Sequence, residues 1–400
     1  MLRLSAFSAL MLGLFACSST AVSAPAPSAS SSSDAASPPP STCTGAAKLD
    51  TAFDVDPSGP DGQIHVYAEP AGDGFFVVYN RPLEGSSSQA FSVYATKLGC
   101  DGRVVVPPVR VSDSSDNEID PAAVWDGTKL LVVWSADTGK APTNLELRTR
   151  TLSADGKPTG PVRTLALQRK GKPNVGNAWM PALALGPKGV GAFLAGAWGN
   201  DDAPAFQAFV QKLDPNGVLT GDAEDVALAP KSTQGAPSVV VDESGKRFVA
   251  WSEEANVGDA PASAWARAGE GAPEDVIPGG GAPSLSSDVS GTWLTARGAV
   301  VELGTKVRGK LPATFSQPAI AADANGAAVL AYVGTSGRAP LHAVRVSKAG
   351  EVGPEIDLGV PAAAAYPLHV AKVNAGTFLV AYQEGAGTKL RAKARYFEAK

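Results

Sequence analysis

Residues 121–167 read PAAVWDGTKLLVVWSADTGKAPTNLELRTRTLSADGKPTGPVRTLAL, and weaker copies of this stretch recur through most of the chain. An apolar run, an Asp-Gly turn and a second apolar run closed by an aromatic make the first half a β-hairpin. In the second half a strand with polar residues interleaved, 145–152, meets the turn SADG and returns as 161–167. The unit is therefore four short strands. Such a sheet cannot bury both its faces alone, so its copies must stack, and radial stacking gives a β-propeller.

Aligned on the first hairpin, seven copies appear, their second strands ending in FFVVY (75–79), LLVVW (130–134), AFLA (192–195), FVAW (248–251), WLTA (293–296), VLAY (329–332) and FLVAY (378–382). In six of them a proline opens the innermost strand: Pro121, Pro181, Pro237, Pro283, Pro318 and Pro367. Proline fits the first position of a strand, where it forfeits no ladder bond. The outer hairpin carries turn glycines at Gly102, Gly156, Gly217 and Gly350, where a positive φ is required. Copies four and five are short, which leaves six or eight blades open beside seven. The last copy stops after its third strand, 390–398, and an orphan strand at 48–55 precedes the first copy. That strand is expected to complete the last blade and close the ring. No apolar period of 3.6 persists over a helix length, so the fold is all-β. Tandem β-sandwiches are the competing architecture, and the proline-anchored repeat argues against them.

Of the 400 residues, 44% are hydrophobic and 18% charged, with a net charge of -5. That balance suits a soluble monomer with a large core and gives no nucleic-acid footprint. The amino terminus departs from it. Met1, Arg3 and an apolar run over 4–15 lead to Leu14-Phe15-Ala16-Cys17, the layout of a secretory signal too short for a permanent span. Residues 18–42 are almost wholly Ser, Ala and Pro, which cannot build a core and read as a tether. The expected organisation is a leader over 1–16, a tether over 17–42 and a folded domain over 43–400. Cys43 and Cys100 remain for that domain, an even number in a compartment where disulfides persist, and a bridge between them would staple the incoming chain to the rim of the first module.

The Leu14-to-Cys17 ending resembles the lipobox of bacterial lipoproteins. The resemblance implies cleavage before Cys17, acylation of that residue, and anchoring in the bacterial cell envelope. The absence of an acidic residue at Ser18 and Ser19 points to the outer membrane. A second, short resemblance lies at SSDVSGTW (286–293), which is similar to the Asp-box of sialidase-type propellers with Gly291 one place late. The segment falls in an inner hairpin, whereas that family places the box at an outer turn.

In a propeller the loops from second to third strand, and from one blade to the next, gather on one face. Here these are the long ones: 82–89, 112–120, 137–144, 168–179, 199–205 and 253–262. That face is the expected binding surface. Its candidate residues are Asp116, Glu118, Asp120, Trp179, Asp201, Asp202, Glu253 and Glu254. Alternating acids from Asp113 to Asp120 could chelate calcium, although the spacing lacks the Gly and distal Glu of an EF-hand loop; no other metal or cofactor is implied. His65 and His369, on the first strands of the first and last modules, would come near each other in a closed ring. No GxSxG, HExxH, CxxC or phosphate-binding glycine loop occurs. The function expected is a membrane-tethered propeller that binds an envelope protein or polysaccharide without catalysis. The alternative is a carbohydrate-active hydrolase or lyase using loop carboxylates.

Overall fold

Apolar alternation punctuated by glycine turns yields 28 strands and one short 3₁₀ turn, Pro187–Gly189, among the residues described by the computed structural model. These are residue 43 and residues 51–399, apart from 84–89, 140–144, 169–176, 201–202, 227–232, 255–262, 335–337 and 364–366. The chain divides into two compact units, Met1–Asp34 and Ala35–Lys400, and every described residue belongs to the second.

The strands form seven blades of four antiparallel strands, a β-propeller. The innermost strands are Ile64–Pro70, Asn117–Trp125, Ala178–Leu185, Thr233–Val241, Ser284–Asp288, Phe315–Asp323 and His369–Asn374, in blades 1 to 7. Each runs from the loop face to the opposite face and turns back tightly. Blade 5 is the smallest, with strands of three to six residues, as the shortened fifth copy implied. The segment 286–293 forms its inner hairpin. The turn glycines adopt the left-handed backbone, with φ of 78° at Gly102, 77° at Gly156, 76° at Gly217 and 82° at Gly350.

Packing explains the ring. Seven large apolar clusters each join two consecutive blades, including blade 7 with blade 1. The aromatics that end the second strands sit in these seams: Tyr79, Trp134, Trp251, Tyr332 and Tyr382 are fully buried. Burying a side chain of that size contributes about 1.5–3 kcal/mol, so a sheet stripped of one neighbour would lose most of its stabilisation.

Closure uses the amino terminus. The strand Ala52–Asp54 pairs with Lys389–Glu398, matching Ala52 with Arg395 and Asp54 with Lys393. It supplies the fourth strand of blade 7, and it is shorter than the expected 48–55, of which 48–50 lies outside the described residues. Asp56 then turns the chain toward blade 1. Its carboxylate, fully buried, accepts from Tyr79 Oη at 2.8 Å, and its carbonyl accepts from Arg391 at 2.6 Å and Gln63 at 3.2 Å. Cys43 is bonded to Cys100, in the outer turn of blade 1. That turn lies on the face opposite the long loops.

The prolines sit differently from the expected strand starts. In blades 2, 3, 4 and 6 they lie inside the strand at a β-bulge: Asp120 and Pro121 together oppose Trp134, and Met180–Pro181, Ala236–Pro237 and Gln317–Pro318 repeat the pattern. Blade 1 has the same bulge with His65 and Val66. The bulged residue makes no ladder bond, so a proline there loses nothing.

The 57-residue separation of Cys43 and Cys100 corresponds to about 4 kcal/mol of denatured-chain entropy. Cys43→Ser should therefore lower the melting temperature by several degrees, and reductant should bring the parent protein to the same value. Identical melting curves for both would show that the bridge does not support closure.

Candidate active site

The first residue of each bulge faces the centre of the ring. His65, Asp120, Met180, Ala236 and Gln317 all have left-handed backbone, with φ between 44° and 53°. All five line one cavity of about 730 Å³ that fills the central channel. A positive φ in a non-glycine residue often marks a functional site, but here it recurs in five blades and is a property of the architecture. What distinguishes blades 1 and 2 is chemistry. His65 Nδ1 lies 2.5 Å from Asp120 Oδ1, joining two adjacent blades at the channel mouth on the loop face. Both side chains are about one-fifth exposed.

Backbone supports this pair from beneath. The amide of the buried Gln383, oriented to satisfy both its ends, accepts from the backbone N–H of Val66 at 2.9 Å and of His65 at 3.2 Å. Asn80 donates to the Glu118 carbonyl at 2.7 Å, and Ser135 accepts from the Met180 N–H at 3.2 Å. Each of these polar residues follows the buried aromatic of one blade and fixes the bulge of the next. The signature was present in the sequence as YN, WS and YQ at 79–80, 134–135 and 382–383.

The acidic loop before blade 2 is differently employed. Arg148 binds Asp116 at 2.5 Å, Glu118 at 3.2 Å and Glu146 at 2.6 Å. Glu118 is fully buried and also accepts from Trp134 Nε1 at 3.1 Å and Ser114 Oγ at 3.1 Å. Burial holds its carboxyl above the usual range against these hydrogen bonds and the Arg148 charge. Two of the suggested calcium ligands, Asp116 and Glu118, are thus satisfied by an arginine, and Asp120 pairs with His65. Among the described residues no group of three or more His, Cys, Asp or Glu is arranged to hold a metal ion.

Of the other candidates, Trp179 is half-buried against Phe206, ring centroids 5.2 Å apart. Trp198 is buried in the seam between blades 2 and 3. Glu253 and Glu254 end the second strand of blade 4 on the loop face, half-buried, opposite Gln234 and Thr233. Asp201, Asp202 and Cys17 lie outside the described residues. His65 and His369 do not pair. His369 packs instead on Tyr67, with ring centroids 3.7 Å apart, while His65 turns to Asp120.

Deeper in the channel, Glu69 Oε1 accepts from the Trp125 N–H at 3.0 Å. Solvent in the channel reaches part of this side chain, but protein surrounds it, and burial raises its carboxyl to about 8. No sequence pattern marked Glu69; only the closed ring turns an ordinary strand acid into a channel group.

No protein-family profile matches the chain, and no curated protein matches it. Solved structures do. A protein of unknown function from Dyadobacter fermentans has 12% identity and a TM-score of 0.56, over 87% of this chain and 98% of its own. The Penicillium chrysogenum α-L-arabinanase complexed with arabinobiose has 14% identity and a TM-score of 0.52, over 87% and 98%. The GH93 α-L-arabinofuranosidase of Fusarium graminearum, also with arabinobiose, has 11% identity and a TM-score of 0.52, over 86% and 96%. At such identity the likeness establishes the fold. The expectation of a non-catalytic binder is corrected by these neighbours, two of which are an arabinanase and an arabinofuranosidase matched over nearly their whole length.

Glu69 gives a pH signature. With its carboxyl raised in the folded protein, the folded state holds more protons than the unfolded state between the ordinary Glu value and about 8, so stability falls as pH rises through that window. Glu69→Gln removes the titration. The variant should gain on the parent by up to a few kcal/mol between pH 5 and pH 8.5 in chemical denaturation. A difference that stays constant with pH would mean the carboxyl titrates normally.

Proposed function

We propose that the protein is a carbohydrate-active hydrolase whose substrate enters the channel mouth on the loop face. The observation that carries this reading is the Asp120–His65 pair, 2.5 Å apart across two blades at the rim of a cavity large enough for a small glycan. The arabinobiose complexes of propellers with this architecture support the substrate class.

In the proposed reaction Asp120, oriented by His65, takes a proton from water as the water oxygen bonds to the anomeric carbon. The glycosidic C–O bond breaks, and the leaving oxygen takes a proton from a carboxylic acid. Glu253 and Glu254 are the proposed sources of that acid, since they reach the same face from blade 4. The bulge serves this chemistry by fixing the backbone of both members of the pair, which removes the need to order two mobile loops before reaction.

The reading places the protein in the bacterial cell envelope, lipid-anchored at Cys17 with residues 18–42 as tether. Cys43 is pinned to blade 1 on the face opposite the mouth.

Reducing-sugar release from arabinan and arabino-oligosaccharides, with other neutral glycans alongside, tests the activity. Asp120→Asn should lower kcat about 10²–10⁴-fold with little change in KM. If Glu253 or Glu254 is the acid, its Gln variant should lose far more activity on natural linkages than on 4-nitrophenyl glycosides, whose leaving group needs no proton. A fully active Asp120→Asn variant, or no sugar release by the parent from any glycan, would end this reading. For the anchor, metabolic labelling with an alkyne fatty acid should mark the parent chain and not Cys17→Ser; equal labelling of both would exclude Cys17.

A further inference from the structure

Two to four residues along the inner strand from His65, roughly 7–13 Å at about 3.3 Å per residue, the channel wall carries a second group of polar side chains. Tyr67 and Glu69 of blade 1 and His369 of blade 7 line the same cavity. His369 Nδ1 accepts the Ala68 N–H at 3.2 Å, which leaves the ring proton on Nε2 as a donor. Burial pushes His369 down to about 3, so the ring is neutral. Glu69, protonated at neutral pH, has one oxygen tied to Trp125 and offers the other as part of a neutral carboxyl. Glu69 Oε2, Tyr67 Oη and His369 Nε2 make no hydrogen bond to any described residue.

Polar ends that line a channel without protein partners are satisfied by solvent or by a ligand, and three of them lie on one stretch of this channel wall, half-buried. Their chemistry is specific. All three can donate, none is charged, and the Tyr67 and His369 rings, in contact at a tilt of 34°, add apolar surface. Across the channel the wall is made of small side chains, among them Ala184, Ser238, Ser284 and Ala319, which leave room for a ring-sized molecule. The nearest cation lining the cavity, Lys372, is already paired with Asp288 of blade 5. An anion would find no free positive charge there, and a cation would meet donors.

We infer that Tyr67, Glu69 and His369 form a subsite within the channel, separate from the Asp120–His65 pair, that binds one uncharged, oxygen-rich ring, a neutral sugar residue. The inference deepens the carbohydrate reading and rests on it for the ligand class. Its geometry places the subsite below the mouth, so a glycan would be held by its end while the mouth groups face a linkage nearer the surface.

The test is binding rather than turnover. L-arabinose and D-glucose, with D-glucuronate as the charged control, are titrated into the full chain by calorimetry and saturation-transfer NMR. The parent should bind a neutral sugar saturably and glucuronate at least tenfold more weakly. Tyr67→Phe and Glu69→Ala should each weaken the neutral sugar about tenfold, the loss of one hydrogen bond inside the channel. Glu69→Gln, which keeps a donor, should stay within about threefold, and circular dichroism melts confirm that each variant is folded. Asp120→Asn alters only the mouth and should bind as the parent does. Absence of saturable binding by the parent, or unchanged affinity in Tyr67→Phe and Glu69→Ala, overturns the subsite. So does a loss in Asp120→Asn equal to that in Glu69→Ala, which would put the sugar at the mouth. If the expected pattern holds while no glycan is hydrolysed, the subsite stands and only the reaction is withdrawn.

Discussion

Every blade is apolar on both faces, and this constraint governs the rest of the structure. A sheet of that kind has no solvent side, so each must lie between two others, and a row of seven would leave two exposed faces at its ends. The ring removes both ends by packing blade 7 on blade 1. That last seam contains Val55, Val66, Phe75, Tyr79, Leu379 and Tyr396, and the strand that completes it comes from the opposite end of the chain. Asp56 carries the connection. It is a fully buried carboxylate held by Tyr79 from blade 1, while its backbone carbonyl takes the Arg391 guanidinium from blade 7. Hydrogen bonds to charged groups contribute about 1.5–3 kcal/mol each when the partners are both present, and a buried carboxylate without them would oppose closure.

Closure also creates the channel. The seven inner strands converge on the axis, and the bulge near the start of most of them turns one residue out of the ladder toward the cavity. That residue answers to no strand partner, and in blades 1 and 3 its backbone N–H is held by a polar side chain of the preceding blade. Met180 and Ala236 occupy such positions without contributing proton chemistry. His65 and Asp120 occupy two adjacent ones and meet. The scaffold thus separates position from chemistry: the same bend recurs around the mouth, and what is installed there sets what the mouth can do.

Much of the architecture was legible in the sequence. The Asp-Gly turn, the alternating apolar runs and the aromatic closing each second strand are local signals with local causes, and they located all seven second strands. The orphan amino-terminal strand was legible for a topological reason, because a blade lacking a strand leaves an edge unpaired. The site was less legible. Sequence density drew attention to Asp113 through Asp120, yet Asp116 and Glu118 bind Arg148, which stands some thirty residues later and on another strand. Only Asp120, the last of the run, reaches the channel, and its partner His65 comes from the preceding blade. Neither the pairing nor the burial of Glu69 has a local signature, since both depend on which strands the ring makes neighbours.

Acid density and acid function are separated here by solvation. Asp116, Glu118 and Glu146 share one guanidinium, so their charge is spent on holding the loop between blades 1 and 2 in place. Among the described residues Glu69 has no cation beside it, and its environment answers by keeping the proton. A carboxyl in that state is a hydrogen-bond donor, which a salt-bridged carboxylate cannot be. The channel therefore offers an acceptor-bearing ligand a polarity that the acidic loop, despite its composition, does not.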